Sequence, residues 1–545
     1  MSEPLRGLLT KVATTFDPEP VEFAIERPRD PSHGDLSTNI AMQPAKRLRT
    51  KPRDLAERFV AALKPELPAG MVVKDIAGPG FINFAYQLDT IGSALDRIRS
   101  EGAKYGRSAV GAGRRINVEF VSANPTGPLH VGHGRGAALG DGIAALLEWT
   151  GHAVTREFYV NDAGVQITRL AESLWARIQQ AVGREAEIPE GGYHGDYLKD
   201  AAAELLQREG PGFADLSPGE GVSRCRAAAL LMQRAEQDET LANFGVRFDV
   251  TSSEQAIYDR GAVDAAIKRL GDANLTFEEG GALWLRTSSF GDDRDRVLRK
   301  SDGSFTYLAP DIAYHLDKFA RGFDHVTDVW GADHHGYIPR MQAALTALGL
   351  PAGWLDVAVV QLVRVVRGKE EVKMSKRSGD FVTLRDLYEE TGVDAARYWF
   401  LMRRGDSHLV FDIELAKSQT DENPVYYVQM AHARMCGIAR NAAAAGVAAA
   451  ATADVGVLSP DDLALLKTLA HFPALVERAA AEHEPHRITT YLEELARMVH
   501  AWYHKSRVLG EDAAIQNARL HLAQATRQVF ANALTLLGIS APDRM

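Results

Sequence analysis

The stretch Ile116-Asn117-Val118-Glu119-Phe120-Val121-Ser122-Ala123-Asn124-Pro125-Thr126-Gly127-Pro128-Leu129-His130-Val131-Gly132-His133-Gly134-Arg135-Gly136 decides the fold. It opens as a β-branched strand, crosses a proline- and glycine-rich turn, and enters a glycine-punctuated helical pattern that runs from Arg135 to Thr150. A second strand pattern, Val154 to Val160, follows. The sequence therefore predicts the βαβ opening of a doubly wound parallel sheet. The turn leaves His130 and His133 at a helix N-terminus, where exposed N–H groups and the helix dipole favour phosphate. The bland alternative is a pair of histidines that merely cap the helix.

Lys373-Met374-Ser375-Lys376 stands 243 residues beyond His130, followed by Arg377-Ser378-Gly379. Alone it reads as a solvated turn. Paired with His-x-Gly-His at a strand-to-helix junction, it reads as two ammonium groups that follow a polyphosphate whose charge moves during reaction. The pair predicts an ATP site.

Around this core, about residues 1–110 mix amphipathic helices with a strand at Phe81 to Phe84 and predict a small α+β domain. Residues 111–383 form the nucleotide-binding unit, split by a helical insertion at about 171–290 that carries strand patterns near Phe248 and Leu283. The core resumes at Val297. Helices are expected at Asp311 to Phe319 and near Tyr337 to Leu348, and strands at His325 to Trp330 and Val357 to Val366. Residues 384–545 read as an all-helical bundle, interrupted by the alanine-rich piece Ala442 to Ala453, expected to be a helix end and a flexible connection.

The whole chain has 545 residues, 46% hydrophobic and 25% charged, with a net charge of -10, which suits several ordinary domains and argues against nonspecific coating of nucleic acid. The basic tracks Arg364 to Lys376, Arg397 to Arg404 and Arg497 to Arg507 are either solvated faces or local nucleic-acid contacts. No apolar run reaches membrane-spanning length and no leader pattern opens the chain, so the cytoplasm is expected. Cys225 and Cys436 are the only cysteines, too few for a disulfide framework or a cysteine-based zinc site. His334-His335 after Asp333 invites a zinc reading, but two further ligands are lacking and no metal site is expected.

Two histidines and two lysines without a nucleophile suit nucleotidyl transfer by positioning and charge stabilisation. These motifs resemble the signatures of class I aminoacyl-tRNA synthetases. Longer strings narrow the resemblance to the arginyl-tRNA synthetases: His33-Gly34-Asp35-Leu36-Ser37-Thr38-Asn39, Val118 to Pro128, Asn161-Asp162-Ala163-Gly164, Asp311-Ile312-Ala313-Tyr314-His315, Trp330 to Tyr337 and Asn423 to Gln429. They span nearly the whole chain.

The resemblance implies an α/β protein with a Rossmann-type catalytic core, an α+β N-terminal domain that contacts tRNA, and a helical anticodon-binding bundle. It implies activation of L-arginine with ATP and Mg2+, then transfer to the 2′-OH of the terminal adenosine of tRNA. His130, His133, Lys373 and Lys376 would be catalytic. Gly132, Gly134, Gly136, Met374 and Ser375 would join them around the nucleotide. Glu119 and Asp311 would take the guanidinium beside Tyr307, Asn124 would hold the α-amino or carboxylate end, and Asp333 or His334 would contact arginine or the ribose. In the bundle, one or two of Tyr398, Trp399, Tyr426, Tyr427, Trp502 and Tyr503, with Arg434 or Arg507, would touch tRNA. A monomer, and a need for bound tRNA before arginine is activated, are further family expectations. The rival readings are another nucleotidyltransferase of the same fold and a catalytically silent tRNA-binding paralogue.

Overall fold

A computed structural model describes residues 2–545 apart from 27, 29, 369 and 373–381. Lys373, Met374, Ser375 and Lys376 lie outside the described residues.

Strand β1 (Arg115–Glu119) leads through the turn into helix α1 (Val131–Trp149) and back to strand β2 (Ala153–Val160). After several helices, among them the long α2 (Pro218–Asn243), strand β3 (Val250–Ser253) joins the same sheet. Helix α3 (Leu308–Ala320) then leads to β4 (His325–Gly331) and finally β5 (Leu355–Val360). The sheet order is β5-β4-β1-β2-β3 and every pairing is parallel. The chain thus winds outward on one side of β1 and returns on the other, so the switch point falls between β1 and β4, where open α/β sheets bind ligands. In register across the strands stand Asp328, Glu119 and Glu157.

Helix α1 is buried on almost every face. Its small residues permit this: a Cβ on Gly134 would lie 2.5 Å from Leu384 Cδ1, and one on Gly140 would lie 2.2 Å from the Phe120 ring. Arg135 is wholly buried in the same helix and donates to the carbonyls of Gln361, Arg404 and Ser407.

Several local expectations change. β3 lies inside the stretch read as an insertion yet is an edge strand of the core sheet. The run read as one strand over Val357 to Val366 is two: it breaks at Gln361-Leu362, and Val363–Arg367 pairs instead with Leu409–Asp412, a strand inside the region expected to be all helical. Helix α4 (Leu384–Thr391) precedes that strand, and α5 (Pro424–Ala444), α6 (Pro460–Ala481), α7 (His486–Lys505) and α8 (Ala513–Leu536) pack as a bundle. The alanine-rich connection after α5 is pinned, since Asn517 and His521 on α8 bond the backbone of residues 450 and 452. Arg397, read as part of a basic track, is a core residue bonded to Asp141 and to the carbonyls of Phe244 and Leu537.

The N-terminal residues fold as a four-stranded antiparallel sheet, with helices Ser2–Phe16 and Pro52–Leu63. Asp35 has structural duties there: its carboxylate accepts from the Tyr86 amide and pairs with Lys467 of α6 at 2.8 Å. No helix among the described residues is long and apolar enough to cross a membrane.

Candidate active site

The turn after β1 carries unusual backbone. Val121 has φ 69° and Ser122 φ 38°, left-handed values that a β-branched residue in particular resists. Such strain persists where the surroundings over-determine it, as at binding sites. Ser122 uses the conformation fully: its hydroxyl donates to Glu119 at 2.8 Å and accepts from the Tyr159 amide.

His130 is the N-cap of α1, and its Nδ1 accepts from the amides of Gly132 (3.0 Å) and His133 (3.4 Å). His133 answers with Nδ1 accepting from the His130 amide at 3.2 Å, and the two rings stack 3.7 Å apart. The capping reading thus holds, and it leaves both rings stacked at the start of the helix. A neutral imidazole whose Nδ1 accepts must carry its proton on Nε2, so the cap fixes both rings as Nε2–H donors at the positive end of a helix dipole. Gly132 lies against the His130 ring, whereas Gly136 has no atom within 4 Å of a would-be Cβ.

Behind the turn, the acids abreast on β4, β1 and β2 are met by α3. Lys318, completely buried, places Nζ 2.5 Å from Glu119 and 2.8 Å from Asp328. His315 Nε2 lies 2.9 Å from Asp328. Glu157 accepts from Arg321, Tyr314, Asn117 and Ser252. Burial opposes the charge on Asp328, but Lys318 and His315 hold its carboxyl down to about 2. Burial pushes Glu119 the other way, above the usual carboxylate range.

A second acidic group lies beside the first and is not answered in this way. Asp311, in the first turn of α3, accepts from Tyr337 at 2.6 Å, and burial raises its pKa. Glu254, 7% exposed at the start of the helix that follows β3, is pushed up to about 7 by burial, then by Asp311 and Asp162. Among the described residues neither acid has a lysine or arginine partner. Asp162 holds Glu254 in place, accepting from Ser253 Oγ (2.7 Å) and the Gln255 amide (2.9 Å). Tyr159 faces the same acids with a buried hydroxyl that lacks a hydrogen-bond partner among the described residues. Sequence reading passed over Glu254; the signal available was Asp162 in its motif, which caps the turn that presents it.

The other expected residues stand around this pocket. Tyr307 precedes α3 and is 78% exposed, near enough to Tyr258 to perturb its phenol. Asn124 is exposed and donates to Gln166 at 2.8 Å. The side chains of Asp333 and His334 are exposed and 3.6 Å apart, and His334 acts electrostatically on Asp311. The one group of three metal-type side chains among the described residues lies elsewhere, at His432, Cys436 and Asp543. In the bundle, Tyr398, Trp399 and Trp502 are core residues. Tyr427 packs on His500, while Tyr503 is 42% exposed with the Arg434 guanidinium 5.3 Å from its ring.

Comparisons with known proteins agree with this architecture. Residues 3–86 match the arginyl tRNA synthetase N terminal domain, 94–424 the catalytic domain of tRNA synthetases class I (R), and 428–545 the DALR anticodon binding domain. The chain is 50% identical to the arginine–tRNA ligase of Syntrophotalea carbinolica, covering 96% of this chain and 95% of that one. It is 47% identical to that of Geotalea uraniireducens over the full length of both. The solved arginyl-tRNA synthetase of Thermus thermophilus shares the fold with a TM-score of 0.78 at 23% identity, covering 99% of each chain. A parallel sheet whose first strand turns into a histidine-capped helix, an N-terminal module and a helical anticodon domain, matched end to end by these relatives, place the chain among the arginine–tRNA ligases, the class I enzymes that join arginine to its tRNA with ATP.

Proposed function

We propose that arginine binds with its guanidinium between Asp311 and Glu254, its α-amino end toward Asn124 and Glu119, and its carboxylate toward the His130–His133 turn. The observation that carries this reading is the pair Asp311 and Glu254, to which no lysine or arginine among the described residues is bound. A guanidinium is planar, permanently charged and best held by carboxylates, and it is the charge this pocket lacks. Glu119 was expected at the guanidinium; its carboxylate already meets Lys318 and Ser122, which suits it better to the near end of the substrate. Tyr307 lines the rim in this reading, and Asp333 or His334 contacts arginine or the ribose.

The arginine carboxylate then attacks the α-phosphorus of ATP, which enters with Mg2+ as part of the substrate, and pyrophosphate leaves. The Nε2–H groups of His130 and His133 donate to phosphate oxygens as charge builds, which accelerates the step because the donors are oriented beforehand. Lys373 and Lys376, with Met374 and Ser375, serve the β- and γ-phosphates in this scheme. In the second step the terminal ribose 2′-OH of tRNA attacks the adenylate carbonyl and AMP is expelled. The exposed Tyr503, packed against the half-buried Arg434 guanidinium, is the surface offered for stacking an anticodon base. The enzyme acts as a monomer in the cytoplasm, with the domains divided near residues 110 and 384.

The test is ATP–pyrophosphate exchange with each of the twenty amino acids, with and without total tRNA. Exchange with arginine alone supports the reading. Exchange with another amino acid discredits the Asp311 and Glu254 assignment, and no exchange would favour a silent paralogue.

A further inference from the structure

Helix α2 belongs to the inserted region and contributes nothing to the substrate pocket described above. One of its turns nevertheless bonds to both segments that converge on His130. On one side Gln237, 1% exposed, donates through Nε2 to the carbonyls of Asn124 (3.1 Å) and Gly127 (3.0 Å). Between these, the Thr126 carbonyl accepts from Tyr197, another residue of the insertion, at 2.6 Å. The loop that carries Asn124 and delivers His130 is thus held by side chains from outside the core sheet. On the other side Arg385, at the start of α4, donates to Glu239 Oε2 (2.9 Å) and Thr240 Oγ1 (3.1 Å) and lies 3.7 Å from Glu236. Thr240 in turn donates to Glu236 at 2.8 Å. The two segments also touch directly: the Leu384 amide donates to the Leu129 carbonyl at 2.7 Å, and His130 and Thr383 form a β-bridge.

We propose that the α2 turn Glu236–Thr240 is a positioning element for adenylate formation, with Gln237 and Arg385 as its positioning residues. Neither needs to touch substrate. Gln237 sets the height of the 124–127 loop and Arg385 sets the start of α4. Because both grip one rigid helical turn, His130 and Thr383 are registered against each other by a third body. Donors aimed at a developing charge lose much of their effect when displaced by about 1 Å, which is why such a clamp governs rate more than binding. A merely structural tie would hold the fold together and leave the rate per folded molecule unchanged. The proposal rests on the assignment of His130 and His133 to the ATP site.

The experiment compares Gln237→Met, which keeps the shape and removes the donor, with Arg385→Met, Arg385→Lys and the Gln237→Met/Arg385→Met double variant in the full-length enzyme. Arginine-dependent pyrophosphate exchange is measured with tRNA present, normalised by active-site titration, alongside melting temperature. Each methionine variant is expected to lose ~10-fold in kcat per active site, with KM for tRNA within about twofold. Arg385→Lys should recover part of the loss. The double variant should cost little more than either single one, because both act through one turn. Should Gln237→Met fold poorly, Tyr197→Phe removes one hydroxyl from the same loop and should lower kcat about threefold. Unchanged kcat per active site, a loss that merely tracks the fraction of active sites, or fully multiplicative effects would each overturn the proposal. His133→Ala run in parallel separates the two readings: if it keeps full rate, the site assignment itself fails, whereas a loss there with none in Gln237→Met condemns the positioning role alone.

Discussion

Two neighbouring groups of buried acids differ in how their charge is met. Asp328, Glu119 and Glu157 stand abreast on neighbouring strands and receive Lys318, Arg321 and His315 from α3 and the turn after it. Of Asp311 and Glu254, a short step away, the first receives a tyrosine hydroxyl, and neither has a lysine or arginine partner among the described residues. The first group is met by cations of the chain itself. In the second group, burial first and then the neighbouring acids Asp311 and Asp162 push the Glu254 carboxyl up to about 7.

Removing the cation from the first group should have the largest effect. Lys318→Met leaves Glu119 and Asp328 buried against each other, and a broken buried pair costs about 3–5 kcal/mol, so chemical denaturation should show a large loss of stability or no folded enzyme. A variant as stable as the parent would mean that the row is not structural. In the second group, Asp311→Asn should leave the melting temperature nearly unchanged and raise KM for arginine ~10²-fold, since one partner of a charge-assisted pair is lost. Equal KM values would place the guanidinium elsewhere.

His133→Ala isolates chemistry from arginine binding. The rate of adenylation should fall ~10²-fold in single-turnover measurements, as for loss of an oriented donor, with KM for arginine little changed and about 1 kcal/mol of cap stability lost. The smallest effect is the pH dependence. The Glu254 carboxyl has a folded pKa of about 7, above its value of 4.5 as a free side chain, so the folded state holds its proton longer than the unfolded one. Its contribution to stability is therefore largest at low pH and declines as pH rises from about 4.5 to about 7. Arginine binding runs the opposite way: kcat/KM for arginine should rise severalfold through neutrality as the carboxylate forms, and Glu254→Gln should flatten that rise.

These two groups were also unequally legible in the sequence. The strand, turn and helix around His130 are local: hydrophobic period, proline and glycine punctuation and a three-residue cap are all written within one short stretch. Glu119 could be picked out there, but not Lys318, which meets it from 199 residues away. Glu254 follows a four-residue strand of modest pattern, Val250–Ser253, hidden among helices, so neither the strand nor its acid stood out. Strand identity failed again where the chain changes sheets at Gln361-Leu362, because an apolar run does not say where pairing stops. Charge patterning failed at Arg397, whose partners are a distant carboxylate and backbone carbonyls that only the packed bundle supplies.

The most direct test of the unanswered pair is KM for arginine in Glu254→Gln, measured by tRNA-supported pyrophosphate exchange beside the parent enzyme. A rise of ~30-fold or more, with kcat within about twofold and an unchanged melting temperature, is the predicted result. An unchanged KM would contradict it and return the guanidinium to Glu119.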